Sequence, residues 1–273
     1  MSTWKGTGGA DLNKKSVNIV IMLSAAACLL CLTGLGWLLW GQARGEGEVL
    51  QPVTSAEGSA KTEGLSVVAL GDSLTRGTGD SEGKGYVGYL GDWLKPRYPE
   101  LTVSNLGVKG YTAPQLAELL EQPEVRRQIS GADYILLTIG GNDLFQGGQA
   151  LLQLEEGVEA GSGDGFISSL NGILKEIRSL NAEGEIMLMG LYNPFQDFSE
   201  SHMASSVVMS WNQKVWETAS AYSGIIIVPT FDLFQQHGSD YLFSDGFHPN
   251  DKGYQAIAKR YLSLMVPEGG LTS

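Results

Sequence analysis

From Leu65 onward, short aliphatic and β-branched runs alternate with longer stretches whose apolar residues recur at helical spacing, and this order constrains the fold more than any other feature. The short runs are Leu65–Leu70, Leu101–Leu106, Tyr134–Ile139, Glu185–Leu191 and Ile225–Val228. The first and third show no polar alternation, as expected of strands buried on both faces of a parallel sheet. Between them, Tyr86–Tyr98 carries Tyr86, Tyr89, Leu90, Trp93 and Leu94 on one helical stripe and stops at Pro99. Thr112 is placed to cap a helix with Pro114 in its first turn and Leu116, Leu119 and Leu120 facing inward. Phe166–Leu180, Met203–Tyr222 and Asp251–Val266 complete the helical set. Strand followed by helix, repeated, predicts a parallel sheet with helices on both faces and right-handed crossovers.

In such a sheet ligands bind at the carboxyl edge of the strands, so the loops after each strand are where chemistry is sought. The first strand discharges directly into Gly71-Asp-Ser-Leu, where Gly71 permits a sharp turn, Asp72 can brace it through nearby amides, and Ser73 is presented as a nucleophile. A serine needs a base, and the base needs an orienting group. Asp245 and His248, three residues apart after the fifth strand, supply both, since imidazole accepts a proton near neutral pH. His202 and His237 compete for the base role, but neither has an acid at the same spacing. After the second strand, Gly110 has no side chain to keep a ligand from its backbone N–H, and after the third, the Asn142 amide can donate to a developing oxyanion.

These blocks, Gly-Asp-Ser-Leu at 71–74, Gly110 within Asn-x-x-x-x-Gly-x-Thr, Gly-Gly-Asn-Asp at 140–143 and Asp245-x-x-His248, resemble the SGNH (GDSL-type) hydrolases in identity and order. The anchored, acidic arrangement resembles the lysophospholipase-like bacterial members. The resemblance spans Leu65 to Val266 and implies a flavodoxin-like three-layer α/β/α sandwich with a five-stranded parallel sheet. It also implies Ser73 as nucleophile, His248 as general base and Asp245 as its orienter. The oxyanion hole it implies is Ser73 N–H, Gly110 N–H and the Asn142 side chain, with Asp72 and Asp143 in support and neither metal nor cofactor. An α/β-hydrolase fits less well, because Gly71-Asp-Ser73-Leu-Thr75 lacks the second glycine of Gly-x-Ser-x-Gly.

Ahead of this domain, residues 16–43 contain no charge, and the 22 residues Ile19–Trp40 would reach about 33 Å as a helix, enough for a bilayer core. Trp37 and Trp40 suit the membrane interface, and the preceding Lys5, Lys14 and Lys15 would keep the amino end in the cytoplasm. The reading is a cytoplasmic tail at 1–15, a signal-anchor at 16–43, a Gly-, Glu- and Ser-rich linker at 44–64 and an extracytoplasmic domain at 65–267. A cleaved signal peptide ending near Gly41-Gln42-Ala43 is the alternative, as is lipidation at Cys28. Cys28 and Cys31 both lie in the apolar run, so the domain has neither a disulfide nor a cysteine metal site. From Leu65 to Ser273, 13 basic against 25 acidic residues carry the whole net charge of −12 and disfavour nucleic acid as a partner.

The expected partner is therefore an ester substrate, with acylated lipids weighed against acetylated wall glycans and against a non-catalytic binding role. Leu144–Gly165 is read as either a lid or a solvated excursion, and Leu144, Phe145, Phe195 and Phe198 as candidate walls of an acyl groove.

Overall fold

A computed structural model describes residues 64–145, 163–196 and 201–265. The proposed span at 16–43, the linker before Gly64, most of the 144–165 segment and Phe198 lie outside these residues. Among the described residues no helix is long and apolar enough to cross a membrane.

Five strands, β1 (Ser66–Gly71), β2 (Thr102–Gly107), β3 (Tyr134–Thr138), β4 (Glu185–Met189) and β5 (Ile225–Val228), form one sheet in the order β2-β1-β3-β4-β5. Every neighbouring pair is parallel, with Gly71 opposite Gly107 on one side and Thr138 on the other. Alternate side chains of each strand feed different cores. Val68, Leu70, Ile135, Leu137, Ile186 and Leu188 pack beneath α3 (Ala113–Leu119), α4 (Pro123–Ser130), α6 (Asp164–Leu180) and α7 (Ser201–Ala219). Val67, Ala69, Leu136, Met187 and Met189 face α2 (Gly85–Leu94), α8 (Phe231–His237) and α9 (Asp251–Met265). The predicted α/β/α sandwich with a five-stranded parallel sheet is the observed architecture. Two further short helices, α1 (Ser73–Arg76) and α5 (Gly141–Phe145), sit at the carboxyl edge itself.

The strand order reverses between β1 and β3: the chain leaves β1 to one side for β2, then crosses back to β3 on the other. This switch point opens a crevice between the loops that follow β1 and β3. Those loops carry Ser73 and Asn142.

Several boundaries differ from the sequence reading for identifiable reasons. The fourth strand ends at Met189, its last residue paired with β5 (Met189 with Val228), so Gly190 and Leu191 begin a loop instead. The helix read as Tyr86–Tyr98 starts at Gly85 and ends at Leu94. Helices α4 and α8 were not expected, because α4 buries only Val125 and Ile129 and α8 only Phe234. So few apolar residues give no visible period. Thr112 caps α3 as expected, with Gln115 Oε1 accepting the Thr112 N–H at 2.9 Å.

Candidate active site

Gly71 ends β1 at φ +141°, a conformation open essentially to glycine, and turns the chain into α1 with Ser73 as its first residue. Asp72 caps that helix: its Oδ1 accepts the Leu74 N–H at 3.0 Å and the Thr138 hydroxyl at 2.9 Å. Thr138 Oγ1 lies 2.8 Å from Thr75 Oγ1, which is 2.9 Å from the Tyr86 hydroxyl. A buried chain of hydroxyls thus ties the nucleophile's turn to β3 and to α2. Thr138, Thr75 and Tyr86 were not singled out from the sequence, although a threonine closing the apolar run Tyr134–Thr138 was a visible signal.

Across the crevice, His248 Nε2 is 2.9 Å from Ser73 Oγ and His248 Nδ1 is 2.7 Å from Asp245 Oδ2. Asp245 Oδ1 also accepts the backbone N–H groups of Phe247 and His248, both at 3.0 Å, which closes the three-residue spacing into a turn. Burial opposes ionisation of Asp245, but the His248 ring and these amides outweigh it and hold the carboxyl below its usual range. An ionised Asp245 requires the shared proton to sit on Nδ1. Nε2 is then left as an acceptor for the Ser73 hydroxyl. His202 is exposed and His237 stacks on Tyr241 at 4.2 Å, so neither serves Ser73.

The turn bearing His248 is held from outside as well. Phe243 N–H donates to His248 O at 2.8 Å, and the buried Tyr192 hydroxyl donates to Phe247 O at 2.7 Å. This contact joins Tyr192 to a partner 55 residues away and left no local trace in the sequence. Between β5 and this turn the chain forms α8 and a 3-10 turn at Gly238–Tyr241, neither of which was anticipated.

Asn142 Nδ2 donates to Tyr111 O at 2.8 Å, which orients the amide and leaves its second N–H unused by that bond. Gly110, the residue before Tyr111, adopts φ +85° in a turn closed by Tyr111 N–H to Val108 O, and an added Cβ there would meet no atom within 4 Å. Asp143 accepts the Ala113 N–H with both oxygens at 3.1 Å, fixing α3 to the same loop, and burial raises its pKa. Ser73, Asp72, Asn142 and Gly141 line one small, partly open pocket together with Leu74, Phe145, Leu191, Tyr192, Pro194 and Phe247. Gly110 is not among its lining residues. Among the described residues no cluster of three His, Cys, Asp or Glu side chains is placed to hold a metal ion.

Asp72 is 2% exposed, and burial pushes its pKa from 3.8 to about 6 against the bonds from Leu74 and Thr138. Between those values the folded protein binds the proton and the unfolded chain does not, so this group's contribution to stability falls as pH rises from about 4 to 6. The difference amounts to about 3 kcal/mol at neutral pH. Asp72→Asn, which can still accept both bonds, is expected to melt several degrees above the wild type at pH 7. The gap should close towards pH 4 in thermal melts, and a gap independent of pH would refute the assignment.

A parallel five-stranded sheet with a serine, histidine and aspartate joined by hydrogen bonds at its switch point defines a serine ester hydrolase of the α/β/α class. The chain belongs to the GDSL-like lipase/acylhydrolase family, which it matches over residues 69–256. It is 36% identical to the Bacillus subtilis protein YpmR over 228 residues, 79% of this chain and 89% of YpmR. It is 27% identical to the spore germination lipase LipC of Bacillus licheniformis over 203 residues, 72% of this chain and 94% of LipC. Among solved structures, the lipase Lip_vut3 from a goat rumen metagenome superimposes with a TM-score of 0.65 at 26% identity, covering 72% of this chain and 96% of that one.

Proposed function

We propose that this hydrolase is a membrane-anchored, extracytoplasmic esterase acting on acyl esters of lipid type through an acyl-enzyme on Ser73. The observation that carries the reading is the Ser73–His248–Asp245 chain opening onto a pocket walled largely by apolar side chains, Leu74, Phe145, Leu191, Pro194 and Phe247 among them. Similarity to two proteins named as lipases supports it.

Ser73 Oγ attacks the ester carbonyl carbon as His248 Nε2 takes its proton, and the carbonyl oxygen becomes the oxyanion. Ser73 N–H, Gly110 N–H and the free N–H of Asn142 stabilise that charge, each donor worth roughly 3 kcal/mol in comparable sites. The intermediate collapses, the bond to the alcohol oxygen breaks, and that oxygen leaves with the proton from Nε2. Water then attacks the acyl-enzyme by the same route, giving up its proton to Nε2. Carboxylic acid departs, and the proton returns to Ser73.

The anchor reading rests on the uncharged stretch 16–43, and the linker reading on the composition of 44–64. With the full chain in detergent, a fluorophosphonate probe should label Ser73, and Ser73→Ala should abolish both labelling and p-nitrophenyl ester hydrolysis. Activity surviving in Ser73→Ala overturns the mechanism. A preference for acetate over every longer chain redirects the substrate to acetylated glycans, and release of the protein from membranes by alkaline carbonate overturns the anchor.

A further inference from the structure

Among the described residues, Phe247 is the aromatic side chain that both lines the apolar pocket and meets the ring of the base. Its ring lines the pocket and meets Phe145 edge-on at 5.6 Å and Phe195 at 6.4 Å. The same ring meets the His248 imidazole edge-on at 5.2 Å and 79°. Its backbone N–H donates to Asp245 Oδ1 and its carbonyl accepts from Tyr192. Phe247 is nevertheless only half-buried, and Phe243 to Gly246 beside it are exposed, so protein packing covers one side of this turn and leaves the other open.

We infer that an acyl chain in the pocket completes the burial of Phe247 and through it sets the His248 ring, making Phe247 a positioning residue by which chain length acts on turnover. The inference rests on the esterase reading given above. Leu191, Pro194 and Phe145 also line the pocket, but the edge-on ring contact with the imidazole belongs to Phe247. Contact with those three is available in the ground state as well as the transition state and so lowers KM. Contact with Phe247 also steadies the base at the moment of proton transfer. Binding energy used in that way appears in kcat.

The test is a series of p-nitrophenyl acetate, butyrate, hexanoate and octanoate hydrolysed by the full chain, with kcat and KM resolved for each. The leaving group is constant, so only the acyl chain varies. In the wild type kcat is expected to rise from acetate to hexanoate by up to about fourfold per methylene, the most that full burial of one methylene supplies. In Phe247→Ala that rise should flatten to less than about twofold over the whole series while KM still falls with length. Phe247→Leu keeps apolar bulk and the backbone bonds but not the aromatic edge, and should give an intermediate slope. Phe145→Ala should alter the KM trend and the longest chain accepted, yet keep the slope in kcat. A wild-type kcat indifferent to chain length, or a slope preserved in Phe247→Ala and Phe247→Leu, overturns the inference. Both of those results leave Ser73-dependence intact, whereas loss of Ser73-dependence would strike the esterase reading itself.

Discussion

Alanine at His248 is expected to lower kcat/KM on p-nitrophenyl butyrate by on the order of 10⁶-fold, as removal of a base does in serine hydrolases of this design. His248 Nε2 lies at hydrogen-bond distance, 2.9 Å, from Ser73 Oγ, and a serine hydroxyl is a poor nucleophile without a proton acceptor beside it. Asp245→Asn should cost less, about 10⁴-fold. The amide can still accept from the backbone N–H groups of Phe247 and His248, so the turn persists, but it no longer favours the tautomer that leaves Nε2 free. Solvent reaches the Asp245 side chain, which is 40% exposed against 12% for His248, and partial solvation of the imidazolium limits the loss. Steady-state rates of the two variants, with circular dichroism to establish folding, decide the matter. A His248→Ala enzyme within about tenfold of wild type would remove the base assignment.

Gly71→Ala should be severely destabilising, lowering stability by more than about 4 kcal/mol. An added methyl overlaps the Thr138 carbonyl oxygen and lies 2.5 Å from its hydroxyl, and φ +141° is itself strained for alanine. Neither side can yield easily, because Gly71 and Thr138 are paired across the central strands and Thr138 is tied to Asp72 and Thr75. For a domain of this size the loss corresponds to a melting temperature lowered by about 10 °C or more. Gly131→Ala is the control, since φ there is −103° and an added Cβ meets nothing within 4 Å. Equal melting temperatures for the two variants would show that β1 and β3 can separate at their ends without cost.

Much of this was legible in the chain itself. Apolar runs such as Val67–Leu70 and Ile135–Leu137 are strands because both of their faces are buried, and continuous hydrophobicity reports that directly. The turn joining Asp245 to His248 was legible because it is local, closed by bonds between residues two and three apart. The support around them was not. Tyr192 reaches Phe247 across 55 residues, Thr138 reaches Asp72 across 66, and no spacing encodes either contact. Asn142 falls between these cases. It was nameable from its position after a strand, but the bond from its amide to Tyr111 O, which orients it, required the fold.

The hydrogen bond from Ser73 to His248 spans 175 residues, and the bond from Tyr254 to Thr78 that closes α9 over the first loop spans 176. Translation proceeds from the amino end, so the ribosome delivers the serine long before the imidazole that activates it. A nascent chain holding β1 to β5 has Ser73 but not yet the imidazole that accepts its hydrogen bond. A chain ended anywhere before His248 lacks the imidazole that lies 2.9 Å from Ser73 Oγ in the folded protein. The Ser73 hydroxyl meets the imidazole only once the turn from Asp245 to His248 has been made and seated.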